Sequence, residues 1–349
     1  MYRYYPLIVL SGLFAFNPYG NYYTHKWYAL LLLIIAFLCW EIKKKFNWQI
    51  ALFSMYFVSS SILIGLGKIG PYAGAKKSIL FEALSTGIYG VGILVLLAYG
   101  NMHRLKKSVG MLVPIAAIYT IIGYVYGWEF QGFGANVSVN ATLLSMLLPF
   151  AMTPLNIVLV LAAILTTKAS IGLIAFCGAV FAYFFIKSAN KGKFLLISSV
   201  VGTVSFVIFY LIYGATLWTA TGRLPIWEFC LNFTWERQKW FGTGAGTFSH
   251  IMPVLQSMKV FNEHPGEYFI YLHNDIIQLF FETGIIGVLL AIIAVGSVVK
   301  KAWGNPMLIA YGTAWLINSI GNFPNHLATT TLLTIIYLSI VFQKGEKHV

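Results

Sequence analysis

The chain has 349 residues, of which 59% are hydrophobic and only 9% are charged, and its mean hydropathy is +0.78. This composition excludes an ordinary soluble domain and indicates a protein whose solvent is a lipid bilayer. The formal net charge of +13 does not indicate a nucleic-acid partner. Most of the Lys and Arg residues stand in short clusters between apolar runs, where they act as topology signals.

Apolar runs of about 12 to 24 residues follow one another along the chain. Each run predicts a helix, because unpaired backbone groups are costly in hydrocarbon and these runs are too long and unbroken for barrel strands. The predicted helices cover residues 6–17, 27–40, 48–66, 79–99, 109–127, 140–152, 155–167, 170–186, 194–213, 275–299, 307–320 and 327–342. The sequence therefore predicts an all-α polytopic membrane protein of about twelve transmembrane helices, with residues 1–349 forming a single integral membrane domain.

The basic clusters predict the orientation of this protein in the membrane. When both termini are placed in the cytoplasm, nearly every short basic cluster falls on the cytoplasmic side, as the positive-inside rule requires. The exception is the group of Lys68, Lys76 and Lys77. Residues 214–272, the longest hydrophilic interval, then form one large extracytoplasmic loop. Within this loop, residues 224–240 predict a short amphipathic helix that lies on the bilayer surface.

The first place with possible chemistry is a polar break of sequence Leu-Thr-Thr-Lys-Ala-Ser at residues 165–170, between two apolar helices. The predicted topology places Lys168 at the outer membrane boundary as a lone cation. Two interpretations stay open: a lysine that extends its amine to the lipid headgroups from a tight turn, or a cation that binds an anionic ligand.

The second place is the stretch Thr-Gly-Arg-Leu-Pro-Ile-Trp at residues 221–227, where a helix begins with Arg223 in its first turn. Cations are disfavoured at a helix N-terminus, so Arg223 requires an anionic partner or a solvated position. A guanidinium beside the N-terminal backbone N–H groups of a helix would bind a phosphate well. The structural alternative is an arginine that lies among the lipid headgroups.

The third place is the start of the tenth predicted helix. Asn274, Gln278 and Glu282 are spaced i, i+4, i+8, so they form one polar stripe that descends from the outer surface into the bilayer. Asn274 or Asp275 can cap the helix, which leaves the imidazole of His273 just above the membrane for proton transfer. The alternative for a lone histidine is a structural role.

Two further observations narrow the chemistry. The chain has a single aspartate and no cluster of His, Cys and carboxylate residues at metal-ligand spacing, so the sequence predicts no metal cofactor. The glycine-rich stretch at residues 242–246 resembles a phosphate loop, but no strand precedes it. It is predicted to be a flexible turn whose backbone could approach a ligand.

Four motifs carry a family resemblance when they are taken together: the Thr-Thr-Lys break, Gly-Arg-x-x-x-Trp, Phe-Gly-x-Gly-x-Gly-Thr-Phe and His-Asn-x-x-x-Gln. In this order the chain resembles the O-antigen ligase and polymerase family of bacterial envelope enzymes, over residues 165–290. The resemblance implies a metal-independent, GT-C-type glycosyltransferase in the bacterial inner (cytoplasmic) membrane. Its active site and its large loop would face the periplasm.

The resemblance also implies partners and roles. The donor would be a glycan linked to undecaprenyl pyrophosphate, and the acceptor would be the lipid A core or a growing glycan. His273 would assist the acceptor hydroxyl, and Arg223 would hold the donor pyrophosphate. Lys168 stands where many members have arginine in a Ser-Arg pair, which keeps the charge but loses bidentate geometry.

The remaining stripe residues, Asn274, Gln278 and Glu282, are implied to be a supporting shell. Fixed cations are consistent with a mechanism that needs no metal, because a pyrophosphate leaving group gathers negative charge as the glycosidic bond breaks. Lys168 and Arg223 would supply the charge that a metal ion supplies elsewhere.

Several functions stay open within and beyond this family. A ligase joins finished polymer to the lipid A core, whereas a polymerase joins repeat units, and the motifs are shared; the compact loop and the His-Asn helix favour the ligase. A protein O-oligosaccharyltransferase is less favoured, because no extra periplasmic domain is evident. A lipid-linked oligosaccharide flippase or other transporter would place ionisable residues near the bilayer midplane, whereas here they cluster at the outer boundary.

Overall fold

The structure is a computed structural model, and it describes residues 102–127, 137–199, 223–244, 246–258, 269 and 271–343. Several predicted elements therefore lie outside the described residues. These are the four helices predicted before residue 100, most of the helix predicted at 194–213, and parts of the interval 214–272.

Every regular element in the described part of the chain is helical, and no strand occurs there. The α-helices with defined ends are α1 (Met102–Val125), α2 (Val137–Leu147), α3 (Pro154–Thr167), α4 (Ser170–Lys187), α5 (Leu224–Arg237), α6 (Phe248–Ser257), α7 (Asp275–Ala302), α8 (Pro306–Gly321) and α9 (Ala328–Gln343). Two short 3₁₀ turns, Leu148–Ala151 and Pro324–His326, follow α2 and α8. The all-α class predicted from the sequence is confirmed for these residues.

Most observed helix ends follow the apolar runs closely, with two clear exceptions. Helix α2 spans Val137–Leu147, whereas the sequence predicted a helix over 140–152, and a 3₁₀ turn takes the place of its last residues. Helix α1 begins at Met102, whereas the sequence predicted a start at residue 109. The difference arises because hydropathy marks only the apolar part of a helix. The exposed residues Lys106 and Lys107 are good helix formers that continue α1 beyond its apolar part.

Two helices, α4 and α7, are long and apolar enough to cross a bilayer, and four shorter apolar helices accompany them in the described residues. The count of about twelve transmembrane helices and the large periplasmic loop at 214–272 stay predictions, as does the single integral membrane domain.

The described residues fall into two compact units. The histidine unit takes its described residues from Met1–Val109, Pro225–Lys301 and Asn322–Val349. The cation unit takes them from Gly110–Leu224 and Ala302–Gly321. His273 and the polar stripe belong to the histidine unit, whereas Lys168 and Arg223 belong to the cation unit.

Within the cation unit, α8 packs along α4, and α2 packs against both helices. The approach of α4 to α2 is close, because a Cβ at Gly172 would lie 2.4 Å from the Cβ of Ala141. Buried polar groups also join these helices: Thr142 donates to Asn318 Oδ1 at 2.9 Å, and Asn318 Nδ2 donates to Ser145 at 2.9 Å. Small residues and interhelical hydrogen bonds are the usual means of helix association in a bilayer.

Within the histidine unit, an apolar core joins α5, α6 and the first part of α7. Helix α5 buries Ile226, Cys230 and Phe233 on one face, as an amphipathic helix does. The ring of Phe281 packs against Phe233 at 5.8 Å and against Phe248 at 5.4 Å between centroids. The opposite face of α5 is exposed at Leu231 and Trp235, and its predicted position on the bilayer surface stays a prediction. The fold thus places the start of α7, which follows His273, on a packed core.

Candidate functional site

Lys168 ends helix α3 in the left-handed conformation, with φ 55° and ψ 19°. Its backbone N–H donates to Leu165 O at 3.3 Å, and its side chain is exposed. Glycine is the usual residue at such a helix end, since a Cβ costs roughly 1–2 kcal/mol in this conformation. A lysine at this position is less stable than a glycine would be, but it provides an exposed positive charge.

His273 has the same φ of 55° and is half-buried. Among the residues that the structure describes, Lys168 and His273 are the two non-glycine residues with positive φ. Sparsely populated backbone conformations concentrate at functional sites, where the surrounding structure maintains them. Lys168 and His273 were chosen from the sequence for their chemistry, and the structure shows independently that both have a left-handed backbone conformation.

Asn274 directly precedes α7 and caps its N-terminus. Its Oδ1 accepts from the backbone N–H groups of Ile276 at 3.1 Å and Ile277 at 3.0 Å. This is the usual N-cap arrangement, which satisfies donors that have no partner inside the helix. The predicted cap is thus present, and it holds His273 directly before the first turn of α7.

The polar stripe is buried: 6% of Asn274, 2% of Gln278 and 3% of Glu282 is exposed. Gln278 Oε1 accepts from the backbone N–H of Leu272 at 3.1 Å, and Gln278 Nε2 donates to Glu282 Oε1 at 3.0 Å. Asn274 and Gln278 therefore hydrogen-bond to backbone N–H groups near His273, and Glu282 hydrogen-bonds to the side chain of Gln278. This geometry supports the predicted supporting role, which stays a prediction.

Glu282 continues the network into the glycine turn. Its Oε2 accepts from Gly246 N at 2.8 Å, and its Oε1 accepts from Phe248 N at 3.3 Å. Phe248 is the first residue of α6, so the carboxylate also lies at the positive end of that helix. The hydrogen bonds and this position compensate the cost of burying the Glu282 carboxylate.

Helix α7 is interrupted at Gly284, which has φ 64° and ψ −164°. The N–H groups of Ile285 and Ile286 donate to Lys239 O at 2.8 Å and Trp240 O at 3.2 Å. A Cβ at Gly284 would lie 2.5 Å from Trp240 backbone atoms, so only glycine permits this approach. The incoming chain satisfies backbone donors that the break would otherwise leave unpaired.

The same incoming chain contains the glycine-rich turn. Thr243 N donates to Phe281 O at 2.9 Å, and Gly244 N donates to Glu282 O at 2.7 Å. Gly242 has φ 67°, and a Cβ there would lie 2.4 Å from Glu282. The turn is therefore buried against α7, and these N–H groups serve the helix break and not a phosphate. In transporters, the free backbone groups of a broken helix bind the substrate. In this protein the backbone groups at the break in α7 are hydrogen-bonded to the chain itself.

Sequence analysis missed a second polar group beside His273. Asp275 Oδ2 accepts from Asn325 N at 3.0 Å and Asn325 Nδ2 at 2.7 Å. Asp275 Oδ1 lies 3.5 Å from His326 Nε2. The residues are about 50 positions apart in sequence, and no local pattern relates them. The available signals were a lone aspartate next to His273 and a polar Pro-Asn-His break between two apolar runs.

Arg223 lies directly before α5 and is half-buried. Its Nη1 donates to Gly321 O at 3.1 Å, at the C-terminal end of α8, where a positive charge is favourable. Burial lowers the pKa of Arg223 from its ordinary value, but the group stays charged at neutral pH. In the part of the chain that the structure describes, no carboxylate forms an ion pair with Arg223.

Within the described residues, no three His, Cys, Asp or Glu side chains are grouped as ligands for a metal ion. The independence from metals that the sequence predicts stays a prediction, to be tested on the reaction itself.

A family model described as O-antigen ligase matches residues 155–292. Residues 155–292, which we call the O-antigen ligase region, are therefore similar to this family. The match confirms the resemblance inferred from the four motifs, and it contains every candidate site residue named from the sequence. No curated protein matches the chain. The match supports a membrane glycosyltransferase of the O-antigen ligase and polymerase type, and it suggests a part in polysaccharide biosynthesis. Asn325 and His326 lie beyond the matched residues.

Proposed function

We propose that this protein is an O-antigen ligase that transfers finished glycan from undecaprenyl pyrophosphate to a hydroxyl of the lipid A core, at the periplasmic face of the bacterial inner membrane. The observation that carries the proposal is the left-handed backbone shared by Lys168 and His273, both within the O-antigen ligase region. Conformational strain at two residues already selected for charge and proton transfer favours function over incidental structure.

The donor pyrophosphate would be held by the cations. Arg223 has five N–H donors in a planar fork, and one of them binds a backbone carbonyl in the structure, which anchors the side chain. The exposed amine of Lys168 would add a second charge. Because negative charge on the pyrophosphate increases as the bond to the sugar breaks, fixed cations stabilise the transition state more than the ground state.

The acceptor hydroxyl would be activated by His273. In this reaction the hydroxyl oxygen forms a bond to the anomeric carbon of the donor sugar, and the bond from that carbon to the pyrophosphate oxygen breaks. The bonding electrons leave with undecaprenyl pyrophosphate, and the hydroxyl proton passes to the imidazole. A half-buried histidine with a backbone maintained by the N-cap of α7 suits this task, since proton transfer requires a positioned base.

The experiment is transfer of a labelled glycan from undecaprenyl pyrophosphate by the full chain in nanodiscs, in the presence of chelator. One arm offers lipid A core as acceptor, and the other offers only lipid-linked repeat units. Transfer to lipid A core supports the ligase, whereas elongation of repeat units would replace it by the polymerase. Loss of transfer in chelator that magnesium or manganese restores would overturn the metal-independent mechanism. In proteoliposomes without acceptor, donor movement across the bilayer together with a lack of transfer in the nanodisc assay would overturn the enzyme assignment.

A further inference from the structure

Two segments of the histidine unit are tied together around His273. The first is the 271–275 segment, which leads into α7, and the second is the 322–326 loop between α8 and α9. The polar tie is the carboxylate of Asp275, which accepts two hydrogen bonds from Asn325 and faces His326 Nε2 at 3.5 Å. Only 6% of Asp275 is exposed, so its interactions with the loop are shielded from water and are stronger than surface interactions.

An aromatic tie joins the same two segments. The Phe323 ring meets the His273 imidazole edge to face, with centroids 4.6 Å apart and planes at 79°. The Tyr271 ring stacks on the Phe323 ring, with centroids 4.7 Å apart and planes at 12°. Tyr271 also lies 5.6 Å from the ring of His326. Contacts of this kind restrict the orientation of the rings.

The two ties act on one side chain. The backbone of the loop turns tightly, because His326 N donates to Phe323 O at 3.0 Å. The position of Asn325 and His326 therefore determines that of Phe323, which is 3% exposed. Phe323 in turn contacts the imidazole of His273. A displacement of the loop from Asp275 would change the orientation of His273 through Phe323.

We infer that Asp275, Asn325, His326 and Phe323 form a positioning clasp, which orients the imidazole of His273 toward the acceptor hydroxyl. The inference rests on the proposed function of His273 and extends it to Asp275 within the O-antigen ligase match and to Phe323, Asn325 and His326 beyond it. The clasp residues are positioning residues: they act on the reaction through His273. Placement within about 1 Å matters for such a base, since a small misplacement can lower a rate by roughly 100-fold.

The test is a set of double-mutant cycles in the full chain in nanodiscs. Asp275→Asn keeps the size of the side chain and one acceptor oxygen for Asn325, but it removes the charge that faces His326. His326→Gln and Phe323→Leu break the other two links. Each variant is expected to lower the transfer rate roughly 10-fold to 100-fold, while the Kd of a lipid pyrophosphate analogue stays within about twofold of the parental value. Phe323→Tyr, which keeps the ring, should restore most of the rate.

The decisive measurement repeats each change in a His273→Asn background. If the clasp acts through His273, Asp275→Asn and Phe323→Leu lower the residual transfer rate no further. A full additional loss in that background, or a loss of analogue binding, would overturn the positioning role. Glu228→Gln and His250→Gln are the matched controls, because they change a carboxylate and a histidine of the same unit outside the clasp.

Failure of this inference differs from failure of the proposed function. If His273→Asn transfers glycan at the parental rate, the proposed site is wrong. If His273→Asn is impaired while the clasp variants retain full activity, only the clasp is wrong. Monodisperse elution of each variant in detergent checks that the protein is folded, and Phe323→Tyr against Phe323→Leu keeps the test decisive if Asp275→Asn fails to fold.

Discussion

Gly246 donates a hydrogen bond of 2.8 Å from its backbone N–H to Glu282 Oε2, so a carboxylate inside an apolar helix holds a turn that lies 36 positions earlier in the chain. The same carboxylate accepts from Phe248 N and from Gln278 Nε2. The three donors together make Glu282 a structural centre of the histidine unit.

Glu282→Gln should therefore lower stability more than it changes chemistry. The amide has one acceptor oxygen where the carboxylate has two, so a buried backbone donor loses its partner at a cost of about 1–3 kcal/mol. Thermal unfolding in detergent measures this loss. The transfer rate per folded molecule should stay within a few-fold of the parental rate. Glu228→Gln, on the exposed side of α5, is the control; equal unfolding temperatures for both variants would contradict the prediction.

Lys168→Gly is expected to separate stability from function. Glycine adopts the left-handed conformation without the Cβ cost, so stability should be unchanged or higher by up to about 1 kcal/mol. Affinity for a lipid pyrophosphate analogue should fall because a cation is lost, and Lys168→Arg should restore it. Thermal unfolding and analogue binding are measured on the same preparations. A glycine variant that binds the analogue as tightly as the parent would show that Lys168 is only a helix end.

Arg223→Gln removes the positive charge that this side chain would bring to the pyrophosphate. Glutamine is also shorter than arginine, so the hydrogen bond that Arg223 Nη1 donates to Gly321 O is lost together with the charge. Since a hydrogen bond to a charged group contributes about 1.5–3 kcal/mol, we expect analogue affinity to fall roughly 10-fold to 100-fold. Turnover should fall as well, because the charge increases during bond breaking. Arg223→Lys should recover part of both losses; parental binding in Arg223→Gln would exclude it from the donor site.

His273→Asn removes the imidazole at a position where the backbone can persist, because asparagine also tolerates positive φ. The transfer rate should fall roughly 100-fold or more, the usual scale for loss of a positioned base. Binding of the pyrophosphate analogue should stay within a few-fold of the parental value. Single-turnover rates and analogue binding test the two expectations separately. If His273→Asn abolishes analogue binding while Arg223→Gln leaves it intact, the roles of the two residues are reversed.

The orientation in the membrane can be tested with single cysteines at exposed positions. Glu236→Cys should react with an impermeant thiol reagent in intact spheroplasts, because residues 214–272 are predicted to face the periplasm. Lys191→Cys should react only after the membrane is opened. The native Cys230 should stay unlabelled, since it is buried and burial raises the pKa of its thiol. The opposite labelling pattern would overturn the predicted topology.

Local patterns in the sequence determined much of what the structure contains. The helix predicted at 155–167 is observed as Pro154–Thr167, because an apolar run and its flanking polar break are properties of neighbouring residues. The cap at Asn274 followed in the same way from its position before an apolar run. The i, i+4, i+8 spacing placed Asn274, Gln278 and Glu282 on one helix face, since helix geometry depends only on separation along the chain.

Contacts between distant segments were decided only by the tertiary structure. The interruption of α7 at Gly284 depends on backbone donors and acceptors supplied by residues 239–244, so the apolar run alone predicted an unbroken helix. The pair of Asp275 and His326 is likewise about 50 residues apart. Sequence periodicity predicts the helix face on which a residue lies. The hydrogen-bond partner of a buried polar group depends instead on which segments pack together, because a buried polar group can bond only to groups that the fold places beside it.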